Sequence, residues 1–136
     1  MATTETPTVS GLRLSPILQP GTYVYCSLPF DADVQGAMLV ATIREVEGLS
    51  VILPEREAVA RGWKALFRAA WIQFGLVSAL DAVGLTAAVS AALADAGIGC
   101  NMVAGAYHDH VFVPIERAAE ALDLLNKLTV SLANKK

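Results

Sequence analysis

Apolar and polar positions fall into two regimes along this chain. Up to about residue 74 the apolar residues come in short runs, rich in β-branched and aromatic side chains and separated by turn residues. That is the pattern of strands. Leu12 and Leu14 alternate with Arg13 and Ser15, so a short strand begins there, and Gln19-Pro20-Gly21 is a turn. Thr22–Leu28 (TYVYCSL), Met38–Glu45 and Leu49–Leu53 read as three strands, the last two joined across Glu47-Gly48. Between the first two lies a polar loop, Pro29–Gln35, that exposes Asp31 and Asp33. Pro54 opens a short helix, Glu55–Ala60, because proline is tolerated in a first turn, and Gly62 ends it. Leu66–Phe74 carries Leu66, Ala70, Ile72 and Phe74 on one face, with Arg68 among them. Phe67, Ala69 and Trp71 lie on the other, so the run predicts a central strand covered on both sides.

Beyond residue 80 the period lengthens to three or four. Leu85, Val89, Leu93 and Ala96 form one stripe of a helix over about Val83–Ala96. Its other side is alanine, Thr86 and Ser90, with one charge at Asp95, a face suited to touching a neighbour. Gly97 supplies a left-handed stop. Ile98–Ala104 then reads as a strand, Gly105–Asp109 as a turn and His110–Val113 as a strand. Pro114 opens a last helix that buries Ala118, Ala121, Leu122, Leu125 and Leu128 and wets Arg117, Glu120, Asp123 and Lys127. From Thr129 the chain adds a few residues of strand or frays. Residues 1–11 begin with Thr, Pro and Glu and read as a disordered tail. The order strand, helix, strand, strand, helix over residues 66–128 is the skeleton of a ferredoxin-like unit. Residues 22–61 run strand, strand, strand, helix, with the acidic loop where the second half has its first helix. By element order alone, the first half is a truncated repeat.

Composition narrows the partners. Of 136 residues, 54% are hydrophobic and only 17% charged, more apolar material than one core of this size needs. The excess predicts a homo-oligomer. The net charge of -3 and the lack of a Lys/Arg run before the terminal Lys135-Lys136 exclude a nucleic-acid footprint. Arg68, Asp81, Asp95 and Asp109 interrupt the apolar stretches short of the ~20 residues a membrane span needs. The N-terminus lacks a basic start and an apolar stretch, so no signal peptide is expected, and a reducing cytoplasm is the expected location. Cys26 and Cys100 match neither a CxxC pair nor a zinc pattern.

Candidate chemistry concentrates between Leu80 and Pro114. Asp81 and Gly84 sit at a helix N-terminus, where free backbone N–H groups and the positive end of the dipole favour a carboxylate. Asp81 is suited to an ammonium group. The same residues also fit plain capping, with Ser78 and Asp81 spaced like a capping box and Gly84 permitting close packing. Asn101 is polar inside an apolar strand, either reading a ligand carboxylate or bonding an edge. Cys100 acts as a nucleophile only with a base such as His108 or His110; otherwise it is a small hydrophobe. His108 and His110 point to one side of a strand and are able to share a metal, but no further ligands accompany them. The alternative is a polar turn in which Asp109 bonds backbone amides. Asp31 and Asp33 read as solvated, and Trp63 and Trp71 as core or interface.

The turn Asp81-Ala82-Val83-Gly84-Leu85, the helix Thr86–Ala96 and the strand after Gly97-Ile98 resemble the ACT domain, a small ferredoxin-like module that binds amino acids and regulates metabolic enzymes. With GTYVY (21–25), ATIREVEGL (41–49), VGLTAAVSAALADAGI (83–98) and YHDHVFVP (107–114), most of the chain, residues 12–128, resembles a bacterial group of two-part ACT-like proteins. The resemblance implies an α+β, ferredoxin-like ACT fold: two ACT-like halves with antiparallel sheets and helices on one face. Residues 12–62 would be a reduced N-terminal half and 63–136 the C-terminal ACT domain. It also implies a non-enzymatic regulator without a cofactor or metal. An amino acid or similar small metabolite would be held between ACT units by Asp81, Val83, Gly84, Leu85, Asn101 and Met102. Tyr107, His108 and His110 would lie at an interface, and an unidentified target protein would take the output. The first half lacks a counterpart of the Asp81–Gly84 turn, so one site per chain is expected. Two other readings stay open: an oligomerisation module with no ligand, and a small His/Cys-dependent enzyme.

Overall fold

In the computed structural model, which describes residues 8–134, the strand and helix patterns condense as ten strands and three α-helices. In chain order they are β1 (Thr8–Arg13), β2 (Pro16–Leu18), β3 (Tyr23–Leu28), β4 (Ala41–Arg44), β5 (Leu49–Pro54), α1 (Glu55–Arg61) and β6 (Phe67–Val77). Then come β7 (Ala82–Val83), α2 (Leu85–Asp95), β8 (Asn101–Ala104), β9 (His108–Pro114), α3 (Ala118–Lys127) and β10 (Thr129–Asn134). The chain divides into two compact units: one is Pro20–Ala70, and the other takes the described residues up to Gln19 and from Trp71 onward. The division falls within β6, not at the expected 62/63 boundary, because Phe67 and Ala69 pair with β3 while Ile72 and Phe74 pair with β2.

In the unit Pro20–Ala70 the antiparallel order is β4, β5, β3 and the start of β6. Period-two alternation sends Val24, Cys26 and Leu28 of β3 and Val51 and Leu53 of β5 into one core with Ala58 of α1. No helix forms over residues 29–40. Two short turns, from Ala32 N–H to the Pro29 carbonyl and from Ala37 N–H to the Val34 carbonyl, hold this segment, and Asp33 accepts the Gln35 N–H. Ala32, Val34 and Leu39 pack on the core, so the loop covers apolar surface as a helix would. The strand expected over Met38–Glu45 is shorter, because the Met38 N–H turns away to the Glu57 carboxylate.

In the other unit β9 neighbours both β6 and β8, and Val111, Phe112 and Val113 are all buried, as a central strand requires. Leu85, Val89 and Leu93 of α2 and Ala121 and Leu125 of α3 are buried, as the helical stripes predicted. Gly97, at φ +71°, ends α2 with its N–H on the Ala94 carbonyl and the Ile98 N–H on the Leu93 carbonyl. Ile98 therefore belongs to the helix stop, and β8 begins only at Asn101. A second, three-stranded sheet places β10 between β1 and β7. β10 is a full strand, and its partner β1 reaches back to Thr8. Thr8 and Val9 of the expected tail thus pair with β10, the register shifts across Ser10 and Gly11, and residues 1–7 lie outside the described residues.

Candidate functional site

The turn before α2 is shaped by one glycine. Gly84 has φ +119°, outside the range of L side chains, and a Cβ there would stand 2.7 Å from the Ser131 carbonyl oxygen of β10. β7 makes the same approach, with Val83 opposite Ala133. Packing of the turn onto β10 thus demands the glycine. The helix it opens has no side-chain cap and no acid in its first turn. No side chain caps its leading N–H groups, which carry the positive end of the helix dipole.

Ser78 does not form the expected capping box with Asp81. Its hydroxyl donates to Asp109 at 2.9 Å and its N–H to the Tyr107 carbonyl at 3.2 Å, which ties the start of the turn to β9. Asp81 and Val83 are exposed, while Leu85 is committed to the core. Beside the turn lies an open groove of about 390 Å³, lined by Ser78, Ala79 and Ala82 together with Val9, Leu12, Leu76, Val77 and Leu132. None of these side chains is charged. A second hollow of about 400 Å³ lies in the other unit, lined by Thr22, Tyr23, Met38, Glu55 and Arg56 among others.

Of the remaining candidates, Asn101 pairs with Phe112 and Ala104 with Asp109. Asp109 holds Ser78, so Asn101 sits at the far end of β8, about 10 Å along the strand. Met102, half-buried, is one position nearer. Cys100 precedes Asn101, three positions from Val103, the partner of His110. That is again about 10 Å, too far for a base. Burial pushes the Cys100 thiol up, away from the thiolate, and both cysteines are free. No cluster of three or more His, Cys, Asp or Glu that would hold a metal occurs among the described residues.

The histidines lie in β9 itself, because the strand starts at His108 after a tight turn closed by Gly105 N–H on the His108 carbonyl. Asp109 accepts from Ser78 and not from the backbone amides of a polar turn. Trp71 donates its indole N–H to His110 Nδ1 at 3.0 Å and stacks on Phe112. An indole only donates, so that nitrogen carries no proton and His110 is neutral. Burial, then the neighbouring His108, hold its pKa below the ordinary 6.5, against the pull of Asp109. His108 Nδ1 is buried with no hydrogen-bond partner among the described residues. Tyr107 is exposed. The Trp71–His110 bond and the Ser78–Asp109 bond left no signal in the sequence beyond the presence of polar residues in apolar strands.

This geometry meets its relatives at one point. Two sequence models, each describing an ACT domain, match residues 12–70 and 67–127 and meet in β6. The chain belongs to the ACT domain family, as a two-part member, and ACT domains are regulatory modules. A crystal structure from Vibrio cholerae, of a protein of unknown function described as a possible transport protein, is 39% identical with a TM-score of 0.80, over 87% of this chain and 91% of that one. A protein from Agrobacterium tumefaciens shares the fold at 20% identity and TM-score 0.68, over 84% and 87%. So does the ligand-free regulatory subunit of aspartate kinase from Thermus thermophilus, at 16% and 0.53, over 81% and 92%. No curated protein matches the sequence. No helix among the described residues is long and apolar enough to cross a membrane.

Proposed function

We propose that the protein is a non-enzymatic cytoplasmic regulator that binds an amino acid or similar small metabolite at the Asp81–Gly84 turn, between ACT units of a homo-oligomer. The observation that carries this reading is the uncapped, acid-free N-terminus of α2 beside an open groove of about 390 Å³. The N–H groups of α2 receive the ligand carboxylate, exposed Asp81 its ammonium, and the groove its side chain. Asn101 and Met102, at the far end of β8, enter such a site from a second chain. Binding changes the packing of the units only where two arrangements differ in affinity, and a separate target protein reads the result.

The test is a thermal-shift screen at pH 7.5 against the common amino acids. A ligand at a hundred times its dissociation constant adds about 2.7 kcal/mol and moves the melting midpoint by several degrees. Asp81→Asn, a surface change, should abolish the shift and leave the unliganded midpoint unchanged. If no amino acid moves the midpoint, the sensor reading fails. An oligomerisation module with an empty site is the second reading, favoured by the contact between Gly84 and β10, which explains the glycine without any ligand.

A further inference from the structure

We infer that the hollow of about 400 Å³ in the unit Pro20–Ala70 is a second ligand site, for a small monocarboxylate with an apolar body: Arg56 takes the carboxylate, and Met38, Pro20 and Pro54 take the body. The site is separate from the Asp81–Gly84 turn, and the inference does not rest on the sensor reading.

Three hydrogen bonds fix the walls of the hollow. The Tyr23 hydroxyl donates to the Pro20 carbonyl at 2.9 Å, which sets the turn into β3. The Glu55 N–H donates to the Thr22 carbonyl at 2.9 Å, which joins that turn to the start of α1. The Met38 N–H donates to the Glu57 carboxylate at 3.1 Å, which seats the end of the loop 29–40 against α1. Walls held before a ligand arrives leave little ordering to be done on binding. The two charges that line the hollow are not equivalent. Glu55 takes the Arg68 Nε–H at 2.5 Å and a second guanidinium N–H at 3.1 Å, a forked pair within the same unit. That bond holds the Glu55 carboxyl below its usual range, so it stays ionised and its charge is matched. Arg56, the next residue, is exposed and has no hydrogen-bond or ion-pair partner among the described residues. What the hollow offers a ligand is therefore one guanidinium, whose planar fork fits a carboxylate through two parallel N–H···O bonds. A ligand ammonium would face that cation and find Glu55 already engaged. A second carboxylate would meet Glu55 as a like charge, so the site takes one. The apolar part of the ligand has its own surface. Met38 is 61% exposed although its N–H is tied down, so its thioether stands beside the hollow without cover. Such a side chain adapts its shape to a partner and makes favourable sulfur–aromatic contacts. Pro20 and Pro54 add apolar rings with no N–H to leave unsatisfied beneath a ligand. An aryl or branched aliphatic body suits that lining.

The test follows ¹H–¹⁵N shifts of the whole chain during titration with 3-phenylpropionate into the millimolar range, the affinity expected of so small a ligand. Two further probes, 3-phenylpropanol and phenethylammonium, keep the body and replace the carboxylate by a neutral or a cationic group. The Thr22, Met38 and Arg56 amides should shift with 3-phenylpropionate, and the alcohol should bind more weakly and the ammonium more weakly still. Arg56→Gln, a surface change, should weaken 3-phenylpropionate severalfold, to the level of the alcohol, and leave the alcohol unaffected. Met38→Ala, also at an exposed position, should weaken both. Absence of any shift in these amides would overturn the site, as would shifts at Leu85 and Thr86 of α2 in their place. So would phenethylammonium binding as tightly as 3-phenylpropionate, or Arg56→Gln binding the carboxylate as the native chain does. Asp81→Asn should leave the titration unchanged, so this result and the amino-acid screen succeed or fail separately.

Discussion

At the residue scale, two glycines with positive φ answer to different physics. Gly97, at φ +71°, has open space around it, so a side chain there meets only the left-handed backbone penalty. Gly84 adds a backbone oxygen within 2.7 Å of any Cβ, and a carbonyl in a paired strand cannot step aside. Gly97→Ala should therefore cost about 1 kcal/mol, and Gly84→Ala upward of about 2 kcal/mol, by urea denaturation. Equal costs would mean that β10 gives way. The stop at Gly97 was legible because everything that needs it is local. The demand on Gly84 was not, because Ser131 lies on a strand that only the fold brings near. Arg117 was visible as a wet helix residue, yet it donates to the Ala96 and Gly97 carbonyls that end α2. Arg117→Ala should cost about 1–3 kcal/mol, whereas removing its exposed i,i+3 partner with Glu120→Ala should cost no more than about 0.5 kcal/mol. His110 gives the pH dependence its sign. Its folded pKa is depressed below the unfolded 6.5, so its contribution to stability is complete above pH 6.5 and falls as the pH drops toward the folded value. Urea midpoints at pH 7.5 and 5 should show that loss in the native chain and not in His110→Gln.

At the scale of elements, strongly periodic segments were readable and those that borrow their partners were not. β3, β5, α1 and α2 follow from alternation, helical stripes and their stops, to within a residue or two; α3 ends where its stripe does but begins at Ala118, because Ile115–Arg117 after Pro114 form a 3₁₀ turn. β10 reads in sequence as a ragged end, because TVSLAN carries a weak apolar signal and no turn signal closes it. It is a central strand only because β1 and β7 lie on either side. β7 has two residues, too few for any period. The candidate site divides along the same line: the turn and α2's N-terminus were legible as one local unit, while the groove beside them needs β1, β6 and β10 together. The weight of β10 is open to measurement. Val130 is 2% exposed, so Val130→Ala should cost on the order of 2 kcal/mol, while exposed Thr129→Ala next to it should stay within about 0.5 kcal/mol. A negligible cost at Val130 would make β10 an appendage, and the close approach to Gly84 would lose its energetic meaning.

At the scale of the molecule, the two halves of this ACT protein fill the same place in their plan by different means, α2 in one and the loop 29–40 in the other. That was legible from element order, with no help from residue likeness. The two long helices then differ in what they show to water. α3 presents Glu120, paired with Arg117 just before the helix, and Asp123 paired with Lys127, the surface of a helix meant for solvent. α2 presents Ala87, Ala91 and Ala94, one stripe at spacings of four and three, with no acid in its first turn and no base in its last. A second chain on that stripe accounts both for its lack of charge and for a sequence that is 54% hydrophobic. In an isolated chain Ala91→Arg is a surface change and should move stability by no more than about 0.5 kcal/mol. In an oligomer joined through α2 it buries an unpaired cation. Light scattering at micromolar concentration should find the native protein as a dimer or larger, and Ala91→Arg as a single chain of unchanged far-ultraviolet circular dichroism. A native monomer would remove the assembly on which the shared ligand site depends. An Ala91→Arg protein that stays assembled would move the interface off α2, and with it the reason for the alanines.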